Sequence, residues 1–140
     1  MAISYNYETD FDLVDEKEYS DWIGRILISE KFQEGDLTYI FCDDDYLLNI
    51  NERFLDHDTY TDIITFDYTE GKLISGDIFI SVERVKENAI TYREKFDDEL
   101  RRVMVHGLLH LIGYGDKEEG DIEVMREKEN EKIKLFHVER

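Results

Sequence analysis

Two histidines, His106 and His110, lie four residues apart in the apolar run Val105-His106-Gly107-Leu108-Leu109-His110-Leu111-Ile112. On a helix this spacing sets both imidazoles on one face, one turn apart, where both can reach a single ion. Gly113 falls where the helical pattern stops and fits a left-handed helix end, and Gly115 adds a second permissive hinge. The chain can then turn back and carry Asp116 over the same face. Two imidazoles and one carboxylate make a three-donor set for one zinc ion. Three protein donors leave a position for water or substrate, as catalytic rather than structural sites do. Unpaired imidazoles would also be costly to bury among Val, Met, Leu and Ile. The zinc-peptidase pattern HExxH places a glutamate beside the first histidine as general base. Gly107 stands there, which speaks against a peptidase.

These donors meet only if the helix that carries them is held against a core, and the chain has the material for one. Its 140 residues are 41% hydrophobic and 13% aromatic, which suits one globular domain spanning 1–140. Strands are expected at 2–8, 37–42, 63–68 and 76–81, from short runs rich in β-branched and aromatic residues. Helices are expected at 15–32, 44–55, 82–95, 97–112 and 119–137, with Asp43-Asp44-Asp45 capping the second and Asp97 the fourth. The order predicts an α+β fold: a small four-stranded mixed sheet covered by about five helices, with the metal site on a buried helix. The first strand–helix–strand step should be a parallel crossover, and Glu70-Gly71-Lys72 should join the last two strands as an antiparallel hairpin. In the last helix Met125, Ile122, Ile133 and Phe136 read as a buried stripe. Glu118, Glu119, Asp121, Glu123, Glu127, Glu129 and Glu131 read as its solvated face.

The chain carries 35 acidic and 17 basic residues, a formal charge of −18. Such a field repels polyanions at long range and argues against membrane and nucleic-acid partners unless a local basic surface exists. Lys86, Arg93, Lys95, Arg101 and Arg102 are the densest basic stretch, and some of them are expected to line the approach to the site. No signal-peptide pattern or membrane-length apolar run is visible, and the single cysteine, Cys42, reads as a buried inert thiol. A cytoplasmic protein is the expectation.

The segment from His106 to Asp116 resembles the signature H-G-x-L-H-L-x-G-Y-D-H of the YbeY endoribonucleases, or rRNA maturation factors. Every fixed letter through Tyr114 is met, and Gly115-Asp116 stand where the family has Asp-His. Upstream, the segment from Asn51 to Phe66 resembles N-x-x-[YF]-R-x-x-D-x-P-T-D-V-L-S-F: it keeps Thr61-Asp62 and replaces V-L-S-F by Ile63-Ile64-Thr65-Phe66. Gly76-Asp77-Ile78-Phe79-Ile80-Ser81 matches G-D-I-x-I-S. The resemblance implies a zinc-dependent, single-strand-specific endoribonuclease. It would act in ribosomal RNA maturation, at the 3′ end of the small-subunit RNA, and in ribosome quality control. Its partners would be ribosomal RNA, the small ribosomal subunit and a ribosomal protein. The resemblance also implies that Asp116 replaces a third histidine ligand and that the family's arginine falls on Leu55, with Arg53 a weak substitute two residues away.

Arg53, Asp62, Arg101 and Arg102 are the candidate substrate contacts. Beside the metal no base stands out; Asp62, bulk water or a substrate group could serve. Asn51 reads equally as a buried hydrogen-bonding residue or a substrate contact, while His57 and His137 read as solvent-facing or structural. Two alternatives remain beside the nuclease: a zinc hydrolase of another substrate such as a peptide, and a ribosome-assembly factor with a structural metal.

Overall fold

A computed structural model describes residues 2–55 and 61–137. The described elements run β1 (Ile3–Tyr7), α1 (Glu16–Ser29), β2 (Gln33–Cys42), α2 (Asp44–Leu55), β3 (Ile63–Asp67), β4 (Leu73–Ser81), α3 (Val82–Thr91), α4 (Phe96–Ile112) and α5 (Glu119–Ile133). The sheet order is β1-β2-β4-β3. β1 and β2 pair in parallel, as do β2 and β4, while β3 and β4 form the expected antiparallel hairpin. The α+β arrangement with one mixed four-stranded sheet is therefore as the sequence suggests.

Alternation along the strands sorts two unequal cores. Leu37, Tyr39 and Phe41 of β2 and Ile74, Ile78 and Ile80 of β4 are fully buried in the main core, against α1, α4 and part of α3 and α5. The opposite face holds a smaller cluster of Cys42, Leu47 and Ile64, with Phe66 and Phe79 packed beside it under α2. α4 is pinned to the sheet by a buried hydrogen bond from Tyr39 Oη to the Met104 carbonyl, 3.1 Å. No described helix is long and apolar enough to cross a membrane. The Cys42 thiol is buried, and its pKa is pushed up to about 12 by that burial and by Asp43 and Asp44.

Several boundaries differ from the sequence reading. α1 stops at Ser29, and Lys31 just beyond it has a positive φ of 65°. α3 stops at Thr91, and Arg93 turns the chain with φ 56°. Asp97 does not cap α4. The cap position is Lys95, without a side-chain hydrogen bond, and Asp97, Asp98 and Glu99 instead lie in the first turn, where acids favour the helix dipole. Asp43 does cap α2, accepting from the Tyr46 amide at 2.8 Å.

Candidate metal centre

Gly107 explains how α4 lies so close to the sheet. A Cβ at that position would come within 2.7 Å of Ile63 Cδ1 and 3.0 Å of Ile78 Cγ2. A side chain there would have to enter the helix–sheet interface, so the glutamate of an HExxH motif has no space in this packing. The flanking histidines are both half-buried, and His106 lies in the wall of a cleft.

α4 ends as the sequence predicts. Gly113 takes φ 125°; its amide reaches the His110 carbonyl at 3.1 Å, and the Tyr114 amide reaches the Leu109 carbonyl at 3.0 Å. This double closure reverses the chain through Gly113. Gly115 is not needed as a left-handed hinge, because only Gly71 and Gly113 among the described glycines have positive φ.

The reversal brings three donor atoms together. His106 Nε2 and His110 Nε2 are 3.0 Å apart, and Asp116 Oδ2 lies 3.2 Å from each. Zinc bonds of about 2.0–2.1 Å place tetrahedral ligand atoms about 3.3 Å apart, so this triangle fits one face of such a site. The remaining ring nitrogens are committed elsewhere. His110 Nδ1 is 3.0 Å from the Tyr114 carbonyl, which can only accept, so Nδ1 carries the proton and Nε2 offers its lone pair. His106 Nδ1 is 2.6 Å from Glu129 Oε2. Both outer partners thus aim Nε2 inward. Burial opposes charge on His106, but the hydrogen bond to Glu129, with Glu129, Asp116 and Asp62 nearby, overcomes it and raises the imidazole pKa. These residues form a group that could hold a metal ion.

Glu129 is therefore not part of a solvated face. It is 5% exposed, and besides His106 it takes a 3.0 Å ion pair from Arg102. Burial raises its carboxyl pKa and these two partners more than reverse that, so it is held low. Met125, one turn earlier, is buried in the core and also lines the cleft. Ile122 departs from the expected buried stripe: it is exposed, at the cleft rim.

The sequence profile described as Endoribonuclease YbeY matches residues 4–137. The chain belongs to the YbeY family. A Flavobacterium johnsoniae protein named Endoribonuclease YbeY is 56% identical over 137 residues, covering 98% of this chain and 99% of its own. One of the same name from Flavobacterium psychrophilum is 54% identical, covering 97% of each. A Thermotoga maritima protein solved in solution has the same fold, with a TM-score of 0.68 at 25% identity over 96% of this chain and 89% of its own.

The cleft beside the YbeY signature measures about 320 Å³ and is lined from α3, α4, α5 and the start of β3. Asp62 and Arg102 both line it, as do Arg126 and Tyr92. Asp62 accepts a long hydrogen bond from Asn88 Nδ2, 3.4 Å, and burial raises its carboxyl pKa. Arg101 lies outside this lining: its guanidinium stacks 3.9 Å from the Phe136 ring and pairs with Asp98. Arg53 is exposed on α2, beside Phe54, also outside the cleft lining. Of the expected basic stretch, Arg102 alone is in that lining. Asn51 is buried, His137 is exposed against Phe136, and His57 lies outside the described residues.

Glu99 is a cleft residue that the sequence reading missed. It is 5% exposed, two turns before His106 on the same face of α4. Burial, with Glu94 and Asp62 nearby, raises its carboxyl pKa to about 7. The spacing Glu99, Val103, His106, His110 was legible as one helical face, but Asp97-Asp98-Glu99 reads first as a helix start. Glu129 was hidden similarly, among seven acids of one helix.

Proposed function

We propose that this protein is a metal-dependent endoribonuclease, acting as one domain, that cuts single-stranded RNA during ribosomal RNA maturation in the cytoplasm. The observation that carries the reading is the triangle of His106, His110 and Asp116, pre-aimed by Tyr114 and Glu129 and open to a cleft. Family membership supplies the substrate class: the relatives are named endoribonucleases. One zinc ion suits the donor set. When bound, it supplies Lewis acidity towards a phosphate oxygen and lowers the pKa of water. The chain's own residues do the rest. His106 and His110 present Nε2, and Asp116 adds a negative charge that a third imidazole would lack. Arg102 and Arg126 supply phosphate contacts in the cleft. Glu99 holds a proton near neutrality, so it adds less repulsion toward an anionic substrate than an ionised carboxylate would.

The acidic surface favours one addition: RNA reaches the cleft on the small ribosomal subunit, or through a ribosomal protein, rather than by long-range attraction to a chain of charge −18. The test measures metal content and cleavage of a single-stranded oligoribonucleotide for wild type, His106→Ala, His110→Ala and Asp116→Ala. Loss of both in each variant is expected. A His110→Ala protein that lacks metal yet cleaves RNA fully would overturn the reading.

A further inference from the structure

Outside the cleft, one buried carboxylate gathers more charged partners than its place in the fold requires. Glu30 follows α1, and its side chain is 10% exposed. It accepts from Tyr114 Oη at 2.6 Å, from Lys132 Nζ at 2.7 Å and from Lys128 Nζ at 3.3 Å. Burial opposes its ionisation, but these three donors prevail and hold its pKa near 2. Lys132 is itself 2% exposed, bonds Ser29 Oγ at 2.9 Å, and its carbonyl accepts from Trp22 Nε1 at 2.7 Å.

Each partner of Glu30 belongs to a segment that supports a metal donor. Tyr114 gives its carbonyl to His110 and stands two residues before Asp116. Lys128 and Lys132 flank Glu129, which holds His106. Tyr114 has a glycine on either side, so its neighbours do little to restrict the backbone. A short, charge-assisted hydrogen bond from its phenol to a residue 84 positions away fixes what those glycines leave free.

We infer that Glu30 is a positioning residue for the metal centre, acting through Tyr114 on His110 and Asp116 and through α5 on Glu129. The inference rests on the metal reading given above. A carboxylate that served only to join α1 to α5 would leave metal affinity unchanged. The two roles separate experimentally, because only the first changes the affinity of the donor triangle.

The experiment prepares metal-free wild type, Tyr114→Phe, Glu30→Gln and the double variant. It measures zinc affinity by competition with a chromophoric chelator, thermal midpoint without metal, and the His110 tautomer by nitrogen NMR. Tyr114→Phe removes one oxygen and should weaken zinc binding about tenfold or more, as loss of outer-sphere partners does. The double variant should bind little worse than Glu30→Gln alone, because Tyr114→Phe removes a link that Glu30→Gln already weakens. The His110 ring should lose its uniform Nδ1-protonated state. Lower thermal midpoints with unchanged zinc affinity and tautomer would overturn the inference and leave the metal reading standing. A wild type that takes up no zinc would overturn both. Should Glu30→Gln fail to fold, Tyr114→Phe decides the matter alone.

Discussion

At the residue scale, the site is acidic in composition but not in effective charge. Glu129 is ionised and fully engaged, whereas Glu99 keeps its proton to a pH of about 7 because burial and the neighbouring Glu94 and Asp62 disfavour its anion. An unfolded chain would release that proton near the ordinary value of 4.5. Between these two pH values the unfolded state binds fewer protons than the folded one, so Glu99 lowers stability progressively as pH rises. Above about 7 the deficit is constant. Glu99→Gln should therefore be more stable than wild type by about 3 kcal/mol at pH 8 and nearly equal to it at pH 4. Denaturant midpoints at the two pH values check this; a difference independent of pH would contradict it.

At the scale of elements, the metal helix, its stop at Gly113 and the hairpin β3–β4 were legible because each rests on local chemistry. The histidine spacing needs only helical periodicity, and the glycine stop only a positive φ. Boundaries set by non-glycine residues were not legible. Lys31 and Arg93 adopt left-handed backbone just beyond α1 and α3, and neither residue type signals such a turn in a sequence. On α5 the apolar Met125 was legible as buried, but Glu129 and Lys132 were not, because they are charged residues satisfied by partners distant in sequence. Gly113→Ala tests the element that matters most. A Cβ at φ 125° should cost about 1–2 kcal/mol of stability. It should also weaken zinc uptake, because the same reversal carries Tyr114 and Asp116. Chelator competition and thermal melting read the two effects separately.

At the scale of the whole molecule, the charge of −18 and the two cleft arginines set how RNA binding responds to salt. A basic nuclease that neutralises many phosphates loses affinity steeply as salt rises. With two phosphate contacts, Arg102 and Arg126, single-strand binding should have a slope of log K against log salt of about −1.4. Screening of the global repulsion should make it shallower still. Oligoribonucleotide affinities across a salt series measure this slope. A value near −4 would mean that a basic surface other than the cleft carries the substrate.

All three candidate donors come from the eleven residues His106 to Asp116, so a bound ion would close only a short loop of chain. Little conformational entropy is taken from the unfolded ensemble by such a closure. Long-range cross-linking is left to the protein's own contacts, such as Trp22 to Lys132 and Tyr39 to Met104. Folding and metal loading are thereby separable: the chain can complete its architecture first and receive its ion afterwards. The stabilisation an ion adds would then come from its affinity for the finished site rather than from cross-linking the chain.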